Sequence, residues 1–282
     1  MPKKIINIDI LCIMKLGFIG TGNISSDVIT GICNSKISFK KINISPRNKT
    51  KAKNLKKKFK KVVIAKSNQE VIDNSDWVFL GVLPEVGKKI LPKLKFRNKQ
   101  TIISFISTIN YSQLKKKTKK KVKIVRAIPM PPARLGKGPI VIFPPNKSVK
   151  NFFNKMGTTI EIKNENLSNN FWAISGTMAS FYELLNLLSN WMVKKSLNRI
   201  QAQNYITSLY SALAELAAVN SNKPLKNFVK ESQTPGGLNW QGVNELREAG
   251  YYKFFEKTLN NIRKRLGWSI DEWKYSRNWA SI

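Results

Sequence analysis

Residues 14–25, MKLGFIGTGNIS, say most about the fold, because an apolar strand here runs directly into a glycine turn. Gly20 allows the tight turn and Gly22 lets the backbone approach a phosphate. The helix predicted from Asn23 adds unpaired N–H groups and the positive end of its dipole. Ser25 stands where Gly or Ala is usual in this fingerprint. The stretch predicts the dinucleotide-binding turn of a nucleotide-dependent enzyme.

Composition narrows the chemistry. The chain has 282 residues, enough for one large domain or two ordinary ones, and no apolar run approaches the roughly 18 residues of a membrane span. It has no histidine, which excludes histidine general acids, histidine triads and histidine-ligated metals. Cys12 and Cys33 are too few and too isolated for a disulfide framework or a metal site. We therefore expect no metal and a reducing, cytoplasmic location.

The formal net charge of +34 is the second unusual feature of the chain. Charge of this size is typical of proteins that bind nucleic acid or anionic surfaces. The basic runs Arg47–Lys61 and Lys115–Arg126, however, do not alternate with the aromatic residues that stack on bases. We interpret the charge as a compositional bias on solvated faces. We accordingly expect a small-molecule partner, with neither nucleic acid nor membrane as a partner.

Hydrophobic periodicity divides the chain into two halves. Up to about residue 142, short β-rich runs alternate with helix-compatible stretches, which predicts crossover units and a parallel sheet. The predicted strands are Lys15–Ile19, Lys41–Ser45, Trp77–Val82, Thr101–Ile106, Lys123–Ala127 and Ile140–Phe143. Later apolar residues recur at helical spacing. The three helical stripes are Phe181, Leu184, Leu185, Leu188 and Met192; Ile206, Leu209, Leu213 and Leu216; and Phe255, Leu259, Ile262 and Leu266.

These patterns suggest four segments. Residues 1–13 are an N-terminal extension, because Asp9 interrupts the apolar run and no small-residue cleavage site follows. Residues 14–163 form the nucleotide-binding domain and residues 164–267 the helical domain, with PPN at 144–146 and polar residues 163–170 between the two patterns. Residues 268–282 are a tail with three tryptophans, which packs either on the helical domain or at an interface.

The end of the second predicted strand indicates the cofactor. Sheets that bind NAD usually carry an acidic residue there, which holds the ribose hydroxyls. This chain has Ser45, Pro46, Arg47 and Asn48 instead. A hydroxyl and a guanidinium without a carboxylate suit a 2′-phosphate, so the sequence favours NADPH over NADH.

With these residues in view, the chain resembles the pyrroline-5-carboxylate reductase family from Met14 to about Leu266. In the first half, GFIGTGNIS at 17–25 resembles the family's GFIGxGNMA, SPRNKTKAKNL at 45–55 its NADP segment, GVLPEV at 81–86 its AVKPQ turn, ISFISTI at 103–109 its ISxAAG turn, and RAIPMPPARLGKG at 126–138 its RxMPNTPxxxGxG loop. In the second half, SGTMASFYELL at 175–185 resembles SGSGPAYxF, and QTPGGLNWQGVNELREAG at 233–250 resembles TSPGGTTxxGLxxLExxG.

The resemblance implies an α/β Rossmann domain followed by an all-α dimerisation domain. It also implies an NADP-dependent oxidoreductase of proline biosynthesis that acts on CH–NH and forms a homodimer or higher homo-oligomer. The reaction is reduction of a cyclic imine carboxylate, most simply of 1-pyrroline-5-carboxylate to proline. The expected cofactor-binding residues are Gly20, Thr21, Gly22, Asn23, Ile24, Ser45, Arg47, Val82 and Pro84.

On the substrate side we expect Thr234 and Asn239 as catalytic residues. The expected substrate-binding residues are Ser175, Gly236, Gly237, Leu238 and Asn239. Free N–H groups of the glycine loop and of the helix predicted over residues 239–249 suit a substrate carboxylate. Asn239 either caps this helix or hydrogen-bonds the imine nitrogen. Thr234 and Ser175 either contact substrate or only stabilise turns.

The chain departs from the family pattern where substrate is expected. Leu238 and Asn239 replace the paired threonines of PGGTT, the second of which is the family's candidate partner for the imine nitrogen. The other departures are Met130, Met178, Ala179, Ser180, Ser107 and Thr108. Glu183 is interpreted as helix surface. Two alternatives stay open: a related reductase of another imine or keto substrate, and a Rossmann protein that binds nucleotide or nucleic acid without catalysis.

Overall fold

The structure is a computed structural model that describes residues 14–118 and 122–266. It divides into one compact unit that ends at Ser168 and a second that begins at Asn169. The extension over residues 1–13, with Cys12, and the tryptophan-rich tail over residues 268–282 lie outside the described residues. Within the described ranges, no helix has both the length and the apolar character needed to cross a membrane.

The first unit is built on one eight-stranded sheet with the strand order β3-β2-β1-β4-β5-β6-β7-β8. The strands are β1 (Lys15–Ile19), β2 (Lys41–Ile44), β3 (Val62–Ile64), β4 (Trp77–Leu80), β5 (Thr101–Ser104), β6 (Lys123–Ile128), β7 (Pro139–Phe143) and β8 (Thr158–Glu161). The six predicted strands are confirmed, most of them with slightly different ends. The pattern does not predict β3, which has only three residues, or β8, whose four residues are mostly polar.

The direction of β7 corrects the prediction of a parallel sheet. Strand β7 runs antiparallel to β6, whereas every other neighbouring pair in this sheet is parallel. Only residues 129–138 connect β6 to β7, and they contain one short 3-10 turn, Pro131–Leu135. A parallel return needs a crossover of about a dozen residues or more, so this short connection turns the chain back beside β6.

The helices of the first unit cover the sheet, and those of the second follow one another without strands. The first set is α1 (Asn23–Asn34), α2 (Lys49–Lys58), α3 (Asn68–Asp73), α4 (Pro84–Ile90), α5 (Tyr111–Thr118) and α6 (Lys147–Phe153). The second set is α7 (Ser168–Ser175), α8 (Met178–Lys194), α9 (Arg199–Val219), α10 (Leu225–Glu231), α11 (Leu238–Glu248) and α12 (Tyr251–Arg265). The three predicted helical stripes fall on α8, α9 and α12, except that Leu266 is the C-cap that follows α12.

The core of the first unit lies on both faces of the sheet. Successive residues of a strand point to opposite faces, and accordingly Phe18 and Phe79 belong to one buried cluster while Ile19 and Leu80 belong to the other. The rings of Phe18 and Phe79, which are partners across β1 and β4, stack with centroids 4.3 Å apart. This two-sided burial fixes the carboxyl ends of the central strands, where the glycine turn begins.

The second unit buries little of its apolar surface by itself. In α9 only Ala202 and Ile206 are buried, whereas Leu213 and Leu216 of the predicted stripe are each 53% exposed. Exposed large apolar side chains also occur on α8, α10, α11 and α12. A helix face of this composition is stable in water when a partner covers it.

Candidate active site

A cavity of about 870 Å³ lies over the carboxyl ends of the central strands. Its walls come from the turns that follow β1, β2, β4 and β5. The crossovers reverse direction between β1 and β4, and a reversal of this kind leaves a crevice that binds ligands in open α/β sheets. Eight of the nine predicted cofactor residues line it: Gly20, Thr21, Gly22, Asn23, Ile24, Arg47, Val82 and Pro84.

The glycine turn has the geometry that its sequence predicts. Gly20 has φ +96°, and a Cβ there would lie 2.7 Å from Val82 Cγ1 and closer still to the Gly81 carbonyl. Gly22 is the N-cap of α1 and forms no side-chain cap, so the first N–H groups of α1 remain without a carbonyl partner within the helix. Thr21 is 3% exposed, and its Oγ1 has no hydrogen-bond partner among the described residues. These features fit a bound phosphate.

The end of the cavity beside β2 is basic. Arg47 and Lys49 line this end together with Asn48, and the described lining includes no carboxylate. Asn48 caps α2, because its Oδ1 accepts the Lys51 N–H at 3.1 Å. Lys51 Nζ in turn donates to Asn23 Oδ1 at the start of α1. An exposed guanidinium without a competing acid suits a 2′-phosphate.

Ser45 is the exception among the predicted cofactor residues. It is 1% exposed, does not line the cavity, and its Oγ accepts the Gly20 N–H at 2.8 Å. A direct contact of Ser45 with the cofactor stays a prediction. Ser45 holds the glycine turn against the end of β2.

The opposite end of the cavity is apolar. Its lining residues follow β4 and β5, and apart from Gly81 and Ser107 they are apolar: Val82, Leu83, Pro84, Val86, Phe105 and Ile106. The basic end suits the phosphorylated ribose of a dinucleotide, and the apolar end suits its nicotinamide ring. The glycine turn between them suits the pyrophosphate. The sequence reasoning did not select the residues after β5, although the ISFISTI block at 103–109 already marked this turn.

Gly81, also missed as a site residue, explains how the chain tolerates Ser25. The Ser25 side chain is fully buried, and a Cβ added to Gly81 would overlap Ser25 Oγ. The family patterns quoted above have Ala at both positions. Relative to that pattern, the chain lacks the methyl group at position 81 and gains a hydroxyl at position 25, and the Ser25 hydroxyl occupies the space that a methyl group at position 81 would need.

We expect Gly81→Ala to lower the free energy of unfolding by about 1–3 kcal/mol, because it overpacks this contact. Ser25→Ala alone should leave stability equal or slightly higher, since no described group bonds its buried hydroxyl. The double variant should recover most of the loss. Urea unfolding of the four proteins at one protein concentration measures this coupling. Losses that simply add would contradict the proposed exchange.

Among the residues that the structure describes, three titratable groups have shifted pKa values. Burial raises the pKa of the Cys33 thiol to about 11, so the thiol stays protonated at neutral pH. Burial also raises the pKa of Asp27, against the opposing attraction of Arg134 and Lys51. The hydrogen bond from Lys150 lowers the pKa of Glu161. None of these three side chains lines the cavity, so none is a candidate for proton transfer there.

In the second unit, the loop at residues 234–237 leads into α11. Gly236 has φ +73°, and Gly237 is the N-cap of the helix. The Gly237 N–H donates to the Thr234 carbonyl at 2.8 Å, so it is not the free donor that we expected. The unpaired donors of this end belong instead to the first turn of α11, which begins at Leu238.

Asn239 does not cap α11. It lies inside the first turn, and its side-chain amide donates to the Ser232 carbonyl at 2.8 Å. Gly237 takes the cap position because its extended backbone conformation precedes the first helical residue. The capping interpretation is therefore wrong. The contact with Ser232 orients the Asn239 amide, which retains a second N–H and its Oδ1.

The other predicted substrate residues have ordinary local roles or are exposed. The Ser175 hydroxyl donates to the Phe171 carbonyl at 2.8 Å, one turn earlier in α7. Thr234 is exposed, and Leu238 is 87% exposed at the start of α11. Glu183 is exposed on α8, which confirms its interpretation as helix surface.

Both units of the chain are similar to known protein families. A family model for coenzyme F420-dependent NADP oxidoreductases matches residues 15–111, and a model for pyrroline-5-carboxylate reductase dimerisation matches residues 165–267. The pyrroline-5-carboxylate reductase of Staphylococcus saprophyticus is 26% identical over 87% of this chain and 94% of its own length. That of Aquifex aeolicus is 26% identical over 91% and 97%.

A solved structure extends the comparison to the fold. Plasmodium falciparum pyrroline carboxylate reductase, solved with NADP bound, superposes with a TM-score of 0.78 at 22% identity. The match covers 91% of this chain and 98% of that protein. The sequence blocks, the two family models and the relatives along nearly the whole length lead to one assignment: the chain belongs to the pyrroline-5-carboxylate reductase family.

Proposed function

We propose that the chain reduces 1-pyrroline-5-carboxylate to proline with NADPH. The observation that carries the proposal is that proteins named pyrroline-5-carboxylate reductase align with this chain across both of its units. The first unit supplies the nucleotide cavity and the second the helical region of the dimerisation model. We further propose that the protein works in the cytoplasm as a homodimer or a higher homo-oligomer, with a small molecule as its substrate.

The residues of the first unit suit the parts of NADPH. We propose that Arg47 binds the 2′-phosphate and that the glycine turn, the start of α1 and the Thr21 hydroxyl bind the pyrophosphate. Val82 and Pro84 line the apolar end, which suits the nicotinamide ring. When bound, NADPH supplies the hydride that reduces the C=N bond. The chain contributes position and electrostatics.

The residues of the second unit suit an imine carboxylate. We propose that the backbone N–H groups in the first turn of α11 bind the carboxylate, because these donors do not depend on side-chain identity. Asn239 then hydrogen-bonds the imine nitrogen through the part of its amide that Ser232 does not occupy. Thr234 is the second polar candidate at this loop. Because the chain has no histidine, we propose the amide of Asn239 and the hydroxyl of Thr234 as the side-chain groups that contact the imine.

A specific observation favours a second candidate, the reduction of a different cyclic imine. Leu238 is 87% exposed and Asn239 has an amide where the family pattern has threonine hydroxyls. An amide reaches further than a hydroxyl and cannot relay a proton in the same way. Either change suits a substrate of different size beside the same carboxylate anchor.

Kinetics on a panel of cyclic imine carboxylates separates the two candidates. We expect Asn239→Ala to lower kcat/KM on the physiological substrate by roughly 5- to 150-fold, the value of about 1–3 kcal/mol for a lost hydrogen bond. Asn239→Thr should retain or raise turnover of 1-pyrroline-5-carboxylate if that is the substrate. Thr207→Ala is the matched control, because its hydroxyl donates to backbone carbonyls of its own helix, α9. Unchanged kinetics in both Asn239 variants would remove this residue from the chemistry.

A further inference from the structure

A buried arginine lies directly behind the cavity wall that follows β5. Arg126, on β6, is 8% exposed. Its Nη2 donates to the Ser107 carbonyl at 2.6 Å and, more weakly, to the Ile106 carbonyl at 3.4 Å. Ile106 and Ser107 belong to the lining of the cavity. A single guanidinium thus binds the backbone of the turn that forms the apolar end of the cofactor site.

Glu165 completes this arrangement from the last segment of the first unit. One of its carboxylate oxygens accepts from Arg126 Nη1 at 2.5 Å and from the Tyr111 N–H at 2.8 Å. Tyr111 is the first residue of α5, which follows the same turn. The turn over residues 105–110 is therefore attached at both ends, by Arg126 at its carbonyls and by Glu165 at the start of α5.

The chemistry of the pair suits a rigid attachment. A charge as buried as that of Arg126 persists only when it is paired and hydrogen-bonded. Here Glu165 and two backbone carbonyls bond both terminal nitrogens, while Nε has no partner among the described residues. A planar guanidinium holds its acceptors in fixed directions, which a flexible ammonium does not. Removing Glu165 leaves the charge of Arg126 without its carboxylate and the Tyr111 N–H without its acceptor.

We propose that Arg126 and Glu165 are positioning residues, which fix the 105–110 turn and thereby align the nicotinamide end of the cofactor for hydride transfer without touching it. The inference rests on the proposed function, because it assigns the apolar end of the cavity to the nicotinamide. The residues proposed to bind the phosphates lie outside this turn. Loss of the pair consequently lowers turnover far more than it weakens cofactor binding.

The chain offers a closely matched control. Glu161 also accepts one backbone N–H, from Asn146 at 2.9 Å, and one cationic group, Lys150 Nζ at 2.9 Å. The side chains of Glu161 and Glu165 are equally exposed, at 23%. Glu161 and its partners do not line the cavity. Glu161→Ala therefore removes the same kinds of bonds from the same unit without touching the 105–110 turn.

The test compares Glu165→Ala, Glu165→Gln and Glu161→Ala in the full-length protein. We expect Glu165→Ala to lower kcat by roughly 10- to 100-fold while KM for NADPH changes by less than about 3-fold, the result of misalignment without lost affinity. Glu165→Gln keeps an oxygen acceptor for Arg126 and Tyr111 and should restore most of kcat. Glu161→Ala should leave kcat unchanged and lower the melting temperature less than Glu165→Ala does, because the Lys150 side chain is 42% exposed and that of Arg126 only 9%.

Fluorescence of bound NADPH gives a readout that does not need turnover, because nicotinamide emission depends on the surroundings of the ring. We expect Glu165→Ala to alter this emission at saturating NADPH, with Glu165→Gln and Glu161→Ala like the unmodified protein. If the unmodified protein is active, and Glu165→Ala and Glu161→Ala have the same kcat and the same NADPH emission, the inference is wrong and the proposed function stands. If the unmodified protein reduces no imine but Glu165→Ala still alters the emission, the proposed function is wrong and the inference is supported.

Discussion

Replacing Leu213 and Leu216 with lysine is expected to abolish a homodimer that the unmodified protein forms through its helical unit. Both leucines are half exposed on α9, a helix with only two buried residues. The residues that match the family model for pyrroline-5-carboxylate reductase dimerisation include this helix. An unpaired charge buried at an interface costs about 3–5 kcal/mol, so the dissociation constant should rise by more than about 100-fold. Sedimentation at micromolar concentration measures the change in mass.

The matched control for this prediction is Leu135→Lys in the first unit. Leu135 is 74% exposed in the 3-10 turn after β6 and lies outside the residues that match the dimerisation family model. This variant should keep the mass and melting temperature of the unmodified protein. If the unmodified protein itself sediments as a stably folded monomer, the exposed helical faces need no partner and the proposed assembly is wrong.

Arg47→Ala is expected to reduce the preference for NADPH over NADH by about 1–3 kcal/mol, or roughly 5- to 150-fold in relative affinity. The reason is that a guanidinium forms directed, charge-assisted hydrogen bonds to a phosphate, and the residues that line this end include no acid to hold a ribose hydroxyl instead. Fluorescence titration of the unmodified and variant proteins with both cofactors measures the difference.

Lys49→Ala is the control for this prediction, because Lys49 lines the same end of the cavity and carries the same charge. If only the positive field mattered, the two variants would lose equal discrimination. We expect a clearly smaller loss from Lys49→Ala. Equal affinity of the unmodified protein for NADPH and NADH would contradict the assignment of Arg47 to the 2′-phosphate.

The strands and helices that the sequence predicted well are those with a long or regular pattern. The bounds of β1 and the start of α1 at Asn23 agree with the prediction, because Gly20 and Gly22 mark the turn between them. The long amphipathic helices α8, α9 and α12 were equally clear from their stripes. The direction of β7 was not, since it depends on the length of the preceding connection rather than on the composition of the strand.

At the site, residue type predicted location better than it predicted contacts. The glycine turn and Arg47 line the same cavity, as their sequence context indicates. The hydrogen bonds of Ser45 and Asn239, however, were not predictable from local sequence. Ser45 accepts the Gly20 N–H, 25 positions away, and Asn239 donates to the Ser232 carbonyl, seven positions away. Arg126 and Glu165 meet across 39 positions, and no local spacing rule connects them. Such partners become evident only when the fold brings them together.

The most direct test of the central claim is NADPH oxidation by the purified protein with 1-pyrroline-5-carboxylate, followed at 340 nm together with identification of the product. We expect one proline formed for each NADPH oxidised, a clear preference for NADPH over NADH, and slower turnover of the other cyclic imines. Absence of NADPH oxidation with 1-pyrroline-5-carboxylate, by a protein that binds NADPH and retains its assembly, would contradict the proposed function.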